Sequence, residues 1–381
     1  MGTSGQTQTR RLLISGYYGF SNSGDEAVLR SILLALEEQG KEQGVQIQPV
    51  VLSADPDWTA KMYGVEAVAR MSPGSLLRAI RGCDGLISGG GSLLQDATGS
   101  LTIPYYTGII KLAQWLGKPT FIYAQGVGPV GKRAMYPLIR SAMKKSAYVS
   151  VRDTESAALL GRIGVPHNRI EVVPDPVMGL PLPDGAEAGV GRAAGKPPLL
   201  GVSLRRWRRD GADLVRAADA LVALSKRMPV RLRFLPFHTP SDTETSEQVL
   251  ERLRGRLGDG STAELAAACD DPQQMLLEVS RCDALFGMRL HALIYAANQQ
   301  IPMLGLSYDP KIDQFLLRLG LEPIGSTERL DAGEFADAAS SLLLERDAWL
   351  AQHKPAIDLL KQQSQKPAQQ IVQLLRYTLS R

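Results

Sequence analysis

Short apolar runs alternate along this chain with longer segments whose apolar residues recur at helical spacing. The first pattern marks buried strands, the second amphipathic helices. Strands are expected at Arg11–Ser15, Ile47–Leu52, Gly85–Ser88, Thr120–Ala124, Tyr148–Val151 and Ile170–Val173. Helices are expected between them, at Glu26–Gln39, Ile103–Leu116, Lys132–Lys145 and Thr154–Ile163. Alternation of this kind builds parallel βαβ units.

The periodicity lapses between Leu180 and Pro198, a stretch rich in Pro, Gly and Ala that reads as a linker. Alternation then resumes. Strands are expected at Leu199–Leu204, Val230–Leu235, Ala284–Phe286 and Pro302–Leu304. Helices are expected at Asp213–Lys226, Glu247–Leu257, Met275–Ser280, Leu290–Ala297 and Ile312–Leu319. Glu345–Tyr377 is helical in pattern, with breaks expected near Pro355 and Pro367. The expected organisation is an N-terminal α/β domain over residues 10–180, a linker over 181–198, a second α/β domain over 199–345 and a helical segment over 346–381. Two such domains would face a cleft. Met1–Thr9 reads as a disordered tail.

Composition narrows the class. The chain has 381 residues, of which 44% are hydrophobic and 22% charged, so a packed core is expected rather than disorder. A net charge of +4 is too small to point to nucleic acid. Cys83, Cys269 and Cys282 show no paired spacing, which argues against a zinc site or a disulfide framework and for reduced thiols. No secretory segment and no apolar run of about 18 residues is present, so a cytoplasmic protein is expected. Met1–Gly2 opens like an acylation signal, but Gln6 stands where Ser or Thr is required.

In parallel sheets ligands bind at the carboxyl ends of strands, so the post-strand loops carry the chemistry. The first loop, Gly16–Glu26, contains Tyr17, Asn22 and Asp25 and opens a helix. It reads equally as a capped helix start, with Ser23 or Asp25 as cap, and as a ligand loop. The second is Ser88-Gly89-Gly90-Gly91-Ser92-Leu93-Leu94-Gln95-Asp96. Three consecutive glycines suggest close approach of a ligand or another backbone. The third is Ala124-Gln125-Gly126-Val127-Gly128-Pro129. Neither a dinucleotide nor a P-loop fingerprint is present, but three such loops favour a binding face. Arg152-Asp153 follows the next strand as an ion pair or a helix cap, or as a functional pair.

The second half is cationic at the same places. Arg205 ends the strand of Gly201-Val202-Ser203-Leu204-Arg205 and offers a planar fork to a carboxylate or phosphate. Gly287-Met288-Arg289-Leu290-His291-Ala292 puts Arg289 and His291 where strand becomes helix, an acid/base beside anion-binding donors. Lys311, in Tyr308-Asp309-Pro310-Lys311, is a credible phosphate contact. His238 is a second-rank candidate, and His167 and His353 read as surface residues.

Taken in order, GYYGFSNSGDEAVL, SGGGSLLQD, AQGVGP, VRD, GVSLR, GMRLHALIYA and YDPK resemble the polysaccharide pyruvyl transferase family, and within it the cell-wall type. They run from Gly16 to Lys311. The resemblance implies two Rossmann-like domains of glycosyltransferase-B type, with the C-terminal helix returning to the first. It implies phosphoenolpyruvate as donor, as co-substrate and not as cofactor. Arg205, Arg289, Leu290 and His291 would line the donor pocket, with Lys311 near. The acceptor would lie by Tyr17, Asn22, Asp25, Gly90, Gly91, Asp96 and Gln125. For the cell-wall type it is a lipid-linked saccharide bearing β-N-acetylmannosamine, converted to its 4,6-pyruvate ketal for S-layer anchoring. Peripheral contact with the inner membrane face is then expected.

The residues suit that chemistry. A donor with a carboxylate and a phosphate asks for several cations, met by Arg205, Arg289 and Lys311, and His291 is the leading acid/base. Asp25 and Asp96 are candidates for the base that activates the sugar. No hard-cation cluster is evident, so no metal is required. A nucleotide-sugar glycosyltransferase and a non-catalytic wall-polymer-binding protein are the alternatives.

Overall fold

The computed structural model of the protein describes residues 8–20, 22–96, 99–187, 189 and 195–377. The chain divides into two compact units. The first comprises Met1–Phe20, Asp25–Leu180 and Lys361–Arg381; the second comprises Ser21–Gly24 and Pro181–Leu360.

The first unit runs β1 (Gln8–Ser15), α1 (Ser23–Gln43), β2 (Val45–Ser53), α2 (Pro56–Tyr63), β3 (Glu66–Ala69), α3 (Pro73–Arg81) and β4 (Gly85–Gly89). It continues through α4 (Thr102–Trp115), β5 (Thr120–Gln125), α5 (Tyr136–Lys145), β6 (Tyr148–Val151), α6 (Thr154–Arg162) and β7 (Glu171–Val172). The strands are parallel and ordered β3-β2-β1-β4-β5-β6-β7. Central strands are apolar throughout because helices cover both faces. Leu12, Leu13, Ile14, Leu86, Ile87 and Ile122 are almost completely buried. Each such side chain contributes about 1.5–3 kcal/mol by leaving water.

The second unit repeats the scheme with β8 (Leu199–Ser203), α7 (Ala212–Arg227), β9 (Arg231–Phe234), α8 (Ser241–Leu253), β10 (Thr262–Leu265), α9 (Pro272–Ser280) and β11 (Ala284–Gly287). Then follow α10 (Leu290–Asn298), β12 (Met303–Ser307), α11 (Pro310–Arg318), β13 (Gly325–Ser326), α12 (Ala332–Leu344) and most of α13 (Arg346–Ser364), whose residues from Lys361 onward belong, with α14 (Lys366–Tyr377), to the first unit. The parallel order is β10-β9-β8-β11-β12-β13. In each sheet the strand order reverses beside the unit's first strand, between β1 and β4 and between β8 and β11. That reversal is where a doubly wound sheet opens a crevice for a ligand.

Several expectations are corrected. Gln8 and Thr9 belong to β1, paired with Val45 and Gln46, rather than to a tail; the preceding residues lie outside the described chain. The short edge strands β3 and β10 lie outside the expected elements because their half-exposed sequences, EAVA and TAEL, lack an apolar run. Helices α2, α3 and α12 add to the expected ones, and α8 begins at Ser241 rather than Glu247. Pro355 lies inside α13 without ending it. Pro355 and Ala351 both face water, so the carbonyl that loses its N–H partner is open to solvent. His353 is buried, with Nδ1 2.9 Å from the carbonyl oxygen of Leu319, and is not a surface residue. His167 is exposed.

Candidate functional site

In the second unit four neighbouring strands deliver the cationic residues to one edge. Arg205 follows β8, Arg289 and His291 follow β11, Lys311 follows β12, and His238 follows β9. Because the strands are parallel, these loops share the carboxyl end of the sheet. The β8 and β11 loops are pinned together by the Met288 N–H, which donates to the Ser203 carbonyl at 2.8 Å.

Arg289 is extended (φ −78°, ψ 124°) and precedes α10, whose first residues are Leu290 and His291. This puts His291 in the first turn, where helix N–H groups have no helical partner. The Arg289 guanidinium is oriented from behind. Its Nε donates to Asp242 Oδ2 at 3.0 Å and a second nitrogen donates to Oδ1. Asp242, in the first turn of α8, is 1% exposed, and its Oδ2 also accepts the His238 N–H at 3.0 Å. One buried carboxylate thus ties the β9 loop to the β11 loop. Planar pairing of this kind fixes a guanidinium in direction as well as in place.

Arg205 is fixed by aromatics. Its guanidinium carbon lies 5.3 Å from the Trp207 ring centroid and 5.1 Å from that of Tyr308, and it donates to the Tyr308 hydroxyl at 3.1 Å. The two rings stand 4.7 Å apart at 42°. Lys311 enters α11 just after Asp309, whose carboxylate caps the helix by accepting the Lys311 N–H at 3.0 Å. Ser203 Oγ, Arg205 Nε and His238 Nδ1 are buried without a hydrogen-bond partner among the described residues. Buried polar groups are normally satisfied, and three orphans at one strand edge mark a place for a polar ligand.

The first unit's strand edge is built differently. The glycines after β4 serve helix packing. Gly90 and Gly91 both have φ +65°. A Cβ on Gly90 would come 1.8 Å from Val28 Cγ1, and one on Gly91 would come 2.7 Å from Asp25 Oδ1. The close approach at Gly90 and Gly91 is that of α1, and it brings Asp25 against the loop. Asn22 caps α1, its Oδ1 accepting the Gly24 N–H at 3.2 Å, rather than Ser23 or Asp25.

Asp25 faces a polar cluster at the ends of β4 to β7. The Arg152 guanidinium donates to Ser92 Oγ at 2.7 Å and to Asp175 Oδ2 at 3.3 Å, while Asp153 caps α6. Burial pushes the Asp25 carboxyl up to about 7; the Arg152 charge pulls it back and Glu26 and Asp175 push it further. Gln125 is fully buried and accepts from Ser88 Oγ at 3.2 Å, while its Nε2 has no partner among the described residues. It sits where β5 loses register with β6, after Ala124 at φ +45°.

Two candidates stand apart. Asp96 accepts the Gly131 and Lys132 N–H groups at 2.8 Å each, and those bonds hold its carboxyl below the usual range. It shapes a loop and is poorly suited to take a proton. Tyr17 stacks on Phe20 with centroids 4.0 Å apart, beside the Arg70 guanidinium.

Asp242, Tyr308, Trp207 and Ser92 were not singled out from sequence. Asp242 lay outside the helix expected from Glu247, so its place in a first turn behind Arg289 was invisible. Among the described residues no group of three or more His, Cys, Asp or Glu side chains is arranged to hold a metal ion. No helix among the described residues is long and apolar enough to cross a membrane.

Two Rossmann-like units of this strand order place the chain in the glycosyltransferase-B class of α/β folds, and solved structures agree. A UDP-GlcNAc 2-epimerase from Methanocaldococcus jannaschii superposes with a TM-score of 0.63 at 12% identity, covering 97% of this chain and 100% of that one. A glycosyltransferase from Rickettsia africae gives 0.63 at 11% identity, covering 97% and 99%. Anabaena HepE in complex with UDP and glucose gives 0.58 at 12% identity, covering 96% and 99%. At such identities the likeness is one of fold. No curated protein matches the sequence. The polysaccharide pyruvyl transferase family profile matches residues 22–310, and the chain belongs to that family. It is a pyruvyl transferase acting on polysaccharide, which sets aside the glycosyltransferase and binding-protein alternatives.

Proposed function

We propose that the cationic strand edge of the second unit binds phosphoenolpyruvate and that the protein forms a 4,6-pyruvate ketal on a β-N-acetylmannosamine residue of a lipid-linked wall-polymer precursor, the modification used to anchor S-layer proteins. The observation that carries the donor assignment is the gathering of Arg205, Arg289, Lys311 and His291 on adjacent parallel strand ends, with buried polar atoms left unsatisfied there. A small dianionic or trianionic ligand with a carboxylate at one end and a phosphate at the other matches that distribution of donors.

In this reading His291 delivers a proton to the methylene carbon of the donor, which becomes a methyl group. The neighbouring carbon turns electrophilic. One sugar hydroxyl attacks it, the bond to the phosphate oxygen breaks, and inorganic phosphate leaves. A second hydroxyl of the same sugar closes the ketal and releases its proton. Arg205, Arg289 and Lys311 hold the carboxylate and the departing phosphate, so the charge is met by side chains in place before reaction. Asp25, whose carboxyl takes up a proton near neutrality, serves as base for the acceptor hydroxyl. Asp96 is left to its loop. No metal or cofactor enters any step.

Incubation with phosphoenolpyruvate and a panel of synthetic lipid-linked saccharides, followed by mass spectrometry, tests the reading. The expected product has gained one pyruvate less one water, only where β-N-acetylmannosamine is present, with one phosphate released per product. Ketal formed equally on other sugars would overturn the acceptor assignment, and no ketal with any acceptor would overturn the reaction.

A further inference from the structure

We propose that the outward face of α4 and α5 is a docking surface for a bilayer containing anionic phospholipid. It goes beyond the reaction proposed above, because it concerns where the enzyme sits and is read without turnover.

The first observation is charge. Between Asp96 and Asp153 the sequence carries no carboxylate side chain, yet α4 holds Lys111 and α5 holds Arg140, Lys144 and Lys145. A chain of small net charge has thus gathered positive charge on two neighbouring helices. The flanking Asp96 is already engaged by the Gly131 and Lys132 N–H groups. The second observation is exposed apolar bulk on the same helices. Trp115 is 75% exposed, Leu101 76% and Leu138 41%.

These residues share a face. Ile103, Tyr106, Ile109, Ile110 and Ala113 turn one side of α4 to the core. Leu101, Gly108, Lys111 and Trp115 follow at spacings that keep them on the other side. Lys111 Nζ donates to Ser141 Oγ at 3.0 Å and Gln114 Nε2 donates to the Ala142 carbonyl at 2.9 Å, joining α4 to α5. Leu138 lies one turn before Ser141, and Lys144 and Lys145 one turn after it. Partial burial, and then the charge of Lys145, lowers the Lys111 ammonium from its ordinary range, as expected where cations crowd.

The mixture selects the partner. An exposed indole and leucines set among lysines match the headgroup boundary of a bilayer, where an amphipathic ring lies level with the phosphates. A purely polar polyanion has no use for the apolar residues. A second copy meeting the same face would bring like charges together.

The test is sedimentation of the full chain with vesicles of phosphatidylcholine alone and with vesicles containing phosphatidylglycerol. Binding is expected only to the second, falling as salt rises. Each basic residue removed should weaken binding about five-fold. Lys144→Glu with Lys145→Glu should lower it by more than an order of magnitude, and Trp115→Ala should weaken it with the melting temperature unchanged. Turnover on a water-soluble acceptor should be untouched in both variants. Equal binding to both vesicles, unchanged binding of both variants, capture by heparin but not by vesicles, or self-association lost in the same variants would each overturn the proposal.

Discussion

The two strand-order reversals are alike in topology and opposite in chemistry. Between β1 and β4 the loops present Asp25 and a glycine run; between β8 and β11 they present Arg205, Arg289 and His291. In the first, α1 packs so closely that Gly90 has no room for a Cβ, and a carboxyl is buried enough to titrate near 7. In the second, guanidinium groups are held by a buried carboxylate and by aromatic faces. A doubly wound sheet fixes where a ligand is held and leaves its charge to a few loop residues. One architecture thereby presents guanidinium groups at one reversal and a buried carboxyl at the other.

The strongest way to break this contrast is to remove the proposed proton donor. His291→Gln keeps hydrogen bonding but shuttles no proton, and should lose about 10²–10⁴-fold in single-turnover rate. If His291 were only a packing residue, the variant would instead melt lower and turn over normally in its folded fraction.

Next comes the support of the anion clamp. Asp242→Asn removes the charge that orients Arg289, and Arg289→Lys replaces a fork by a point charge. Loss of one charged hydrogen bond is worth about 1.5–3 kcal/mol. The KM for phosphoenolpyruvate should therefore rise roughly ten- to hundred-fold in either variant, with kcat less affected. An unchanged KM in both would take Arg289 out of the donor site.

The first unit sharpens the contrast through pH. Asp25 titrates near 7 in the folded protein, against about 3.9 for an unfolded aspartate. The folded state therefore binds its proton more tightly. The stability this gives is present below about pH 4 and is lost as pH rises through about 7. The slope is at most about 1.4 kcal/mol per pH unit. Asp25→Asn should flatten the fall of melting temperature over that window. As a base Asp25 acts deprotonated, so wild-type turnover should climb with pH through about 7, and the variant should lose that limb. Asp96→Asn should keep it. A profile unchanged by Asp25→Asn would move the base elsewhere.

The smallest expected effect is that of chelation. Exhaustive removal of divalent cations should leave the rate within error of the untreated enzyme. Activity that vanished and returned with magnesium would contradict a donor site whose charge is met by side chains alone.

The sequence made the buried strands legible because parallel strands covered on both faces are apolar without interruption. It placed Arg205, Arg289, His291 and Lys311 after strands for the same reason. What it hid were partners distant in sequence. Asp242 stands 47 residues from Arg289 and meets it only once β9 and β11 are in one sheet. The glycine run left open whether a ligand or another part of the chain comes close, since a residue lacking Cβ suits either, and Val28 of α1 is the neighbour that a Cβ on Gly90 would meet. Asp25 and Asp96 looked equivalent as carboxylates after glycine loops. Burial in the first turn of α1 raises the one and two backbone N–H groups lower the other, and neither environment is written in the local sequence.

Calorimetric titration of phosphoenolpyruvate into the wild-type protein, Arg205→Ala with Arg289→Ala, and Asp25→Asn tests most directly which reversal holds the donor. Donor binding should be abolished in the double arginine variant and kept at wild-type affinity in Asp25→Asn. Affinity retained without the two arginines, or lost with Asp25→Asn in a protein that still folds, would contradict the account.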